Sequence, residues 1–170
     1  MRIFLIGFMG SGKTTAGKQL ASRLSYRYFD LDEFIEQQEQ DSIRKIFEKK
    51  GEPYFRKKEC KYLRDISHYE DCVISTGGGA PCFFDNMDYM NNTGITVYLK
   101  MKPEQLVSRL KDGREERPLI KNKDDQELLQ FIRDKLSERE TYYSKAHMIV
   151  DGFNLNINEL LDKIRAFLKQ

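Results

Sequence analysis

The chain has 170 residues, which is long enough for one domain with a substantial core and too short for two ordinary domains. With 29 basic and 27 acidic residues, its formal net charge of +2 carries no global signature of nucleic-acid or membrane binding. The three cysteines, Cys60, Cys72 and Cys82, are odd in number and form no CxxC pair. Neither a disulfide framework nor a structural zinc site is indicated, which suits a reducing compartment.

The N-terminal part of the chain alternates between strand-like and helical patterns. Residues 3–6 are a continuous apolar run, which predicts a strand buried on both faces and is too short for a signal peptide. Residues 13–24 predict a helix, because their apolar members recur at three- and four-residue spacing. Tyr28-Phe29 is a short strand candidate, and residues 34–50 predict two helical pieces that meet at the capping pair Asp41-Ser42.

The rest of the chain continues the alternation. Gly51-Glu52-Pro53 ends one helix and begins the next, since proline is tolerated in a first turn. A last helix begins after Asn156, which forms a pair resembling a capping box with Glu159. Further strands are predicted at 72–75, 95–99 and 147–150, and further helices at 83–91, 103–111 and 125–144. Five strands separated by helices predict one α/β domain over residues 1–170, a three-layer arrangement with a parallel sheet between helices.

The segment GFMGSGKT, residues 7–14, fits the nucleotide-binding pattern G-x-x-x-x-G-K-[ST] between a predicted strand and a predicted helix. Backbone N–H groups in such a loop cradle phosphates, so we expect the nucleotide to contact Gly10, Ser11, Gly12, Lys13, Thr14 and Thr15. Lys13 would reach the β- and γ-phosphates, and the Thr14 hydroxyl would ligate Mg²⁺. The alternative without a nucleotide site is a glycine-rich turn with a surface lysine, and the strand–loop–helix context argues against it.

This loop alone leaves open a switch GTPase, a motor-type ATPase or a small-molecule kinase. Asn122-Lys123-Asp124-Asp125 matches the guanine-reading pattern N-K-x-D, but it follows Arg117-Pro118-Leu119-Ile120 rather than a buried strand. No D-x-x-G segment for a second switch occurs in the sequence. We therefore interpret residues 122–125 as the polar start of a helix.

Two carboxylates follow the second predicted strand. Asp30 and Asp32 are two residues apart, so in an extended chain they would face the same side, at the carboxyl end of the sheet. One would serve the Mg²⁺ shell and the other would accept a proton from an attacking hydroxyl. Asp32 acting only as a helix N-cap is the alternative.

A second charged pair and a glycine triplet complete the candidate residues. On a helix Arg56 and Glu59 are neighbours, so that Glu59 would hold the guanidinium, although an exposed ion pair is the commoner meaning of this spacing. Gly77-Gly78-Gly79 follows the predicted strand at 72–75. Three consecutive glycines are costly to order unless a Cβ would obstruct something, so we expect a close approach at this backbone.

In this order and spacing, the motifs resemble the shikimate kinase family, a group of P-loop kinases related in fold to nucleoside-monophosphate kinases. The resemblance covers essentially the whole chain, and it rests on GFMGSGKT, DLDEFIE, Ser42-Ile43, Ile46-Phe47, Gly51-Glu52, Phe55-Arg56, Gly77-Gly78-Gly79, Arg117-Pro118-Leu119, and Arg139 with Tyr143. Only the first of these motifs is specific by itself. Together they form a specific set.

The resemblance implies a five-stranded sheet in the order 2-3-1-4-5 and transfer of the γ-phosphate of ATP to the 3-hydroxyl of shikimate. It implies that Asp32 binds the shikimate hydroxyls, that Arg56 and Arg139 bind its carboxylate, and that Gly78 and Gly79 line the acceptor pocket. A guanidinium group binds a carboxylate through paired N–H donors, and an aspartate accepts hydrogen bonds from hydroxyls. The residues themselves therefore support an oxygen-rich anionic acceptor. The acceptor-binding region would span about residues 31–60.

The chain departs from the family pattern in two places. Residues 139–143 read R-E-T-Y-Y and lack the proline of the family's R-x-P-x-Y, which puts the local helix shape in question. Residues 151–156, DGFNLN, lack the arginine that some relatives carry near adenine, which makes Arg109 the better candidate to stack on the base.

Residues 109–122 show no apolar periodicity and carry several arginines and lysines before Pro118, with Gly113 as a hinge candidate. A solvated loop is the common meaning of such a stretch. For a kinase we expect a mobile lid that closes over ATP and delivers Arg117 to the transferring phosphoryl group as a catalytic residue. Arg114 is the competing candidate.

The sequence thus predicts an ATP- and Mg²⁺-dependent kinase of a small-molecule acceptor. A kinase of the gluconate kinase type would share the phosphate loop but lack the pairing of Arg56 and Arg139 around the glycine triplet. A nucleotide-binding regulatory protein without transfer activity would have no need of Asp32, Arg56 or Arg117. We expect a cytoplasmic monomer that does not bind nucleic acid. We also expect no membrane binding, since no apolar run approaches the ~20 residues of a membrane span.

Overall fold

The computed structural model describes residues 1–111, 120 and 122–169. Within them, β1 (Arg2–Ile6), β2 (Arg27–Asp30), β3 (Cys72–Ser75), β4 (Ile95–Lys100) and β5 (Met148–Asp151) form one sheet. The five strands lie in the order β2-β3-β1-β4-β5, and every neighbouring pair is parallel. The predicted parallel sheet and the strand order implied by the family resemblance are confirmed.

The described helices lie between and after the strands. They are α1 (Lys13–Leu24), α2 (Leu31–Glu39), α3 (Ile43–Ile66), α4 (Asn86–Thr93), α5 (Pro103–Leu110), α6 (Asp125–Tyr143) and α7 (Ile157–Phe167), with a short 3-10 turn at Ala80–Cys82. Two helix starts differ from the prediction. Helix α2 begins earlier, at Leu31, because the Asp30 side chain accepts hydrogen bonds from the backbone N–H groups that follow it. Helix α4 begins later, because the 3-10 turn and an extended Phe83 precede it.

Alternation along β1 distributes its side chains to the two faces of the sheet. Phe4 and Ile6 pack in a cluster with residues of α2, α3 and α4, whereas Ile3 and Leu5 pack with residues of α1 and α7. All four side chains are fully buried. The predicted three-layer arrangement, with helices on both faces of a parallel sheet, is confirmed.

Helix α3 contains a kink at Gly51, whose φ of 80° and ψ of 168° are not helical. Pro53 lies in the first turn after the kink, where its missing N–H costs nothing. The predicted stop and restart at this position is confirmed. The kink redirects the second half of α3, which carries Arg56 and Glu59.

The end of α2 is tied to α3 around the carboxylate of Glu39, a partly buried residue. It accepts hydrogen bonds from Tyr54 Oη at 2.6 Å and Tyr62 Oη at 2.7 Å, and it pairs with Lys58 Nζ at 2.9 Å. Hydrogen bonds from the two tyrosines, with smaller contributions from Lys58, lower the pKa of Glu39 to about 2. This Glu39 cluster orients the part of α3 that carries Arg56.

The polar segment 122–125 starts helix α6. Asp124 is its N-cap and accepts hydrogen bonds from the backbone N–H groups of Gln126 and Glu127, both at 2.8 Å. Glu127 completes a capping box by accepting from the Asp124 N–H at 2.9 Å. The interpretation of the N-K-x-D match as a helix start is confirmed. No described helix combines the length and the hydrophobicity that a membrane span requires.

Candidate active site

The segment from Gly7 to Thr14 connects β1 to α1 and is built for close backbone approach. Gly10 and Gly12 adopt φ values of +79° and +90°, a left-handed conformation that favours glycine. A methyl group added at Gly10 would also lie 2.9 Å from a Leu110 side-chain carbon. The loop therefore presents its N–H groups at the start of α1, where the helix dipole favours an anion.

Lys13 lies across the phosphate loop. Its Nζ donates hydrogen bonds to the Gly7 and Phe8 carbonyl oxygens, both at 2.9 Å. The Ser11 hydroxyl is buried in the same loop and has no hydrogen-bond partner among the described residues. The ammonium group is thus held over the loop in which the sequence predicts the nucleotide phosphates.

A cavity of about 290 Å³ adjoins the loop, and Ser11, Gly12 and Thr15 line it together with Arg109 and Phe153. Arg109 Nη2 donates to the Gly152 and Phe153 carbonyl oxygens at 3.2 and 3.1 Å, and its guanidinium lies 5.6 Å from the Phe153 ring centroid. The structure therefore brings Arg109 beside the phosphate loop, and its stacking on the base stays a prediction. The sequence gives no signal for Phe153 at this site, since an exposed aromatic residue in a polar loop carries no distinctive pattern.

The Thr14 hydroxyl and the Asp30 carboxylate lie side by side. Thr14 Oγ1 donates to Asp30 Oδ2 at 3.2 Å, while Asp30 Oδ1 accepts from the N–H groups of Asp32 at 3.1 Å and Glu33 at 3.4 Å. A hydroxyl and a carboxylate oxygen are ligands that suit Mg²⁺, which commonly takes few protein ligands beside phosphate oxygens and water. The pair fits the predicted metal position.

Asp32 lies in the first turn of α2, not in an extended strand. The expectation that Asp30 and Asp32 share one face of extended chain is wrong, because the chain becomes helical at Leu31. The N-cap of this helix is Asp30 rather than Asp32. Burial, with a smaller contribution from the Asp30 charge, raises the pKa of Asp32 to about 6, although the nearby cations of Lys13 and Arg56 oppose that rise.

Each glycine of the triplet faces a different charged side chain. A methyl group at Gly77 would lie 2.8 Å from Asp32 Oδ1, and one at Gly78 would lie 3.0 Å from Arg139 Nη1. A methyl group at Gly79 would lie 2.6 Å from Arg56 Nη2. A methyl group at Gly77 would also lie 3.3 Å from Glu59 Oε1. The close approach that the triplet predicts is therefore made, in the described residues, by two carboxylates and two guanidinium groups that converge on a single loop.

Arg56 is fixed by two carboxylates of its own helix. Its Nη1 lies 2.7 Å from Glu59 Oε2, and its Nε lies 3.2 Å from Glu52 Oε1. Glu59 is only 1% exposed, so the common interpretation of the spacing, an exposed ion pair, is wrong here. Burial raises the pKa of Glu59 to about 7, while Arg56 opposes that rise. The guanidinium also lies within 5.0 Å of the Phe55 ring centroid and 4.2 Å of the Phe83 ring centroid.

Arg139 reaches the glycine triplet from α6. Helix α6 remains helical through Tyr143, so the missing family proline does not displace the arginine from the helix. The Arg139 guanidinium lies 5.3 Å from the ring centroid of buried Phe8 in the phosphate loop. Tyr143 Oη donates to the Gly78 carbonyl oxygen, which ties α6 to the same loop.

The predicted lid, residues 109–122, is described only at its two ends. Arg117, the predicted catalytic arginine, and its competitor Arg114 lie outside the described residues. A larger cavity, of about 870 Å³, lies beside β4, β5 and α6 and is lined by none of the predicted site residues. Convergent charged groups, rather than cavity size, therefore identify the candidate site.

The sequence of the chain is similar to those of known shikimate kinases. The family model described as "Shikimate kinase" matches residues 9–169 of the chain. A shikimate kinase of Phocaeicola vulgatus is 50% identical over 173 residues, which cover 99% of each chain.

Solved structures agree with the sequence comparison. The crystal structure of a shikimate kinase from Bacteroides thetaiotaomicron matches with a TM-score of 0.92 and 40% identity, over 100% of this chain and 99% of that one. A shikimate kinase from Acinetobacter baumannii in complex with shikimate matches with a TM-score of 0.85 and 33% identity, over 98% and 92% of the two chains. A gluconokinase from Sinorhizobium meliloti is only 16% identical, with a TM-score of 0.54, and shows the fold alone.

Proposed function

The chain belongs to the shikimate kinase family, and from that premise we propose how its own residues carry out the reaction. It transfers the γ-phosphate of ATP to the 3-hydroxyl of shikimate, with Mg²⁺ as cofactor, and yields shikimate 3-phosphate and ADP. The observation that carries the assignment of roles is the convergence of Asp32, Arg56 and Arg139 on Gly77–Gly79.

In this proposal the acceptor is held by its charge and its hydroxyls. Arg56 and Arg139 bind the carboxylate of shikimate, since two guanidinium groups approach the same loop and each offers planar donor pairs. Asp32 accepts hydrogen bonds from the hydroxyls. Gly78 and Gly79 line the pocket, because they leave room for both the guanidinium groups and the ring.

The transfer step uses residues on both sides of the gap between the phosphate loop and the acceptor. Asp32 accepts the proton that the attacking hydroxyl loses, and the rise of its pKa by burial suits a general base. Lys13 leaves the loop carbonyls to neutralise charge on the transferring phosphoryl group. Arg117 of the lid supports the same charge, as the family resemblance implies.

The nucleotide is held by backbone and by Arg109. Gly10, Ser11, Gly12, Thr14 and Thr15 surround its phosphates, and Arg109 with Phe153 offers faces for the base. Thr14 and Asp30 would hold Mg²⁺, directly or through water. The metal ion would supply positive charge that offsets the charge of the nucleotide phosphates.

A kinetic comparison of two arginine variants tests the acceptor roles. Arg56→Lys and Arg139→Lys keep the positive charge but lose the planar fork, so each should raise the KM for shikimate about tenfold or more. The KM for ATP should stay within about twofold in a coupled ADP-release assay. Arg44→Lys, at an exposed ion pair with Glu48, is the matched control. Equal damage to both Michaelis constants would show that these arginines organise the fold or the nucleotide instead.

The finer assignments about the whole molecule belong to the same proposal. Residues 1–170 act as one domain and as a monomer, without a nucleic-acid partner, in the cytoplasm. The nearly balanced charge supports the absence of nucleic-acid binding, and the three unpaired cysteines suit a reducing compartment. Size-exclusion chromatography with light scattering tests the monomer directly, and a dimer mass would contradict it.

A further inference from the structure

The loop after the glycine triplet places two consecutive aromatic residues in opposite environments. Phe83 has an extended backbone and a partly buried side chain whose ring centroid lies 4.2 Å from the Arg56 guanidinium carbon. Phe84 follows with a φ of 50° and is 60% exposed. A bulky residue in the left-handed region is a conformational outlier, and such strain persists only where the surrounding structure imposes it.

The surrounding contacts show what holds this loop. Arg64 of α3 donates to Asn86 Oδ1 at 3.1 Å and to the Asp85 carboxylate, while Asn86 Nδ2 donates to the Ala80 carbonyl oxygen at 3.0 Å. Asn86 is fully buried. The loop is therefore fastened to the same helix that carries Arg56, and the turn at Phe84 leaves the ring of Phe83 against that guanidinium.

The edges and the faces of the Arg56 guanidinium make different interactions. Its edges donate to Glu59 and Glu52, and Nη2 lies against Gly79, but a planar guanidinium has no donor perpendicular to its plane. An aromatic face carries negative potential and attracts a cation, and it excludes water at the same time. Water excluded from the guanidinium leaves its attraction to a nearby carboxylate less screened.

Phe83 differs from the second ring near Arg56. Phe55 is the neighbour of Arg56 on α3, and it packs against Phe47 with ring centroids 4.7 Å apart. Its place is therefore set by the helix and the core. Phe83 comes from the loop after β3, which also contains Gly79, so one loop both approaches the edge of the guanidinium and covers part of its surface.

We propose that Phe83 is a positioning residue, whose ring holds the Arg56 guanidinium oriented and shielded for the carboxylate of the acceptor. The inference rests on the proposed role of Arg56 and adds a residue that acts through it. Phe83 does not itself react. Its removal leaves Arg56 charged and still paired with Glu59 and Glu52, but it opens part of the guanidinium surface to water, so that the attraction to the acceptor carboxylate is more strongly screened.

Steady-state kinetics of Phe83 variants test the proposal. Phe83→Ala should raise the KM for shikimate about fivefold to tenfold, with kcat and the KM for ATP within about twofold, as expected for a desolvated cation–π contact. Phe83→Tyr keeps the aromatic face and should restore nearly the parent value. Phe83→Leu keeps an apolar cover without the ring and should fall between them. Phe84→Ala, at the exposed neighbour, is the matched control and should leave the KM for shikimate unchanged.

A double-mutant cycle separates this proposal from the function on which it rests. If Phe83 acts through Arg56, Phe83→Ala should add little to the KM for shikimate in an Arg56→Lys background. Full additivity, or no effect of Phe83→Ala beside a clear effect of Arg56→Lys, would overturn the role of Phe83 alone. No effect of Arg56→Lys by itself would overturn the proposed acceptor site, and the role of Phe83 with it. If a thermal melt shows that Phe83→Ala is not folded, the KM values for shikimate of Phe83→Tyr and Phe83→Leu test the proposal instead.

Discussion

The phosphate loop and the acceptor side of this kinase are built in opposite ways. The loop is one continuous segment from Gly7 to Thr14, and it works through backbone N–H groups whose directions depend on glycines at positive φ. The acceptor side takes side chains from α2, α3 and α6, and none of the glycines Gly77–Gly79 has a positive φ. Damage to the first region therefore acts through backbone geometry, and damage to the second acts through the placement of buried charges.

The largest effect is expected at the residue that serves the transferring group itself. Lys13→Ala removes a cation that we assign to the charge developing on the phosphoryl group, and kcat should fall by about a thousandfold. Lys18→Ala, on the same helix, is the control and should retain parental turnover. A coupled ADP-release assay on folded protein measures both variants. Near-normal turnover of Lys13→Ala would contradict the assignment.

The two aspartates should separate the metal side from the acceptor side. Asp32→Asn cannot accept a proton, so kcat should fall about a hundredfold at saturating ATP, and added Mg²⁺ should give no rescue. Asp30→Asn weakens the metal position beside Thr14 and should be partly rescued by excess Mg²⁺, because a weakened site refills by mass action.

A Mg²⁺ titration of both aspartate variants at fixed ATP and shikimate makes this comparison. Asp30 also caps α2, so the thermal stability of Asp30→Asn must be followed in parallel. Rescue of Asp32→Asn by Mg²⁺, or the same unrescued loss in both variants, would refute the division of roles and leave the kinase assignment intact.

Two glycine variants should damage the two substrates separately. Gly79→Ala places a methyl group 2.6 Å from Arg56 Nη2, so the flexible end of the arginine must move and the KM for shikimate should rise about tenfold. Gly12→Ala strains a residue at φ +90° in the phosphate loop and should raise the KM for ATP instead. Initial rates with each substrate varied in turn measure the effects. Loss of ATP binding in Gly79→Ala would show that the two regions are not independent.

The smallest effect on activity is expected at Glu39, which stabilises the acceptor side from outside the site. Its pKa of about 2 lies below the ordinary value of 4.5, so its ionised form stabilises the fold at neutral pH. Glu39→Gln should lower the free energy of unfolding by about 2 kcal/mol at pH 7.

The pH dependence of this loss is specific. The contribution of Glu39 is complete above about pH 4.5 and disappears as the pH falls towards 2, so the parent and the variant should converge in acid. Urea unfolding at pH 7 and at pH 3.5 measures the difference. Glu48→Gln, at an exposed pair with Arg44, is the control and should change stability by less than about 0.5 kcal/mol. A loss that is independent of pH would contradict the electrostatic explanation.

Local patterns in the sequence were sufficient for the fold class and for the phosphate loop. Helix α1 and strand β3 lie at the predicted residues, because the apolar residues that set the period and the residues that end each element lie close together in the chain. The errors are also local. Helix α2 begins at Leu31 because Asp30 caps it, and α4 begins after Phe83 because the turn at Phe84 adopts a conformation that propensity disfavours.

The sequence by itself determined the α/β class, the phosphate loop and the residue types of the acceptor site, and its motifs led to the correct family. Only the tertiary structure decided that Glu59 is buried, that Arg139 of α6 lies against Gly78, and that Phe83 covers Arg56. The physical reason is distance along the chain. Dihedral preferences and periodicity act over a few residues, whereas the burial of a charge depends on segments far apart in sequence that meet only when the helices pack on the sheet.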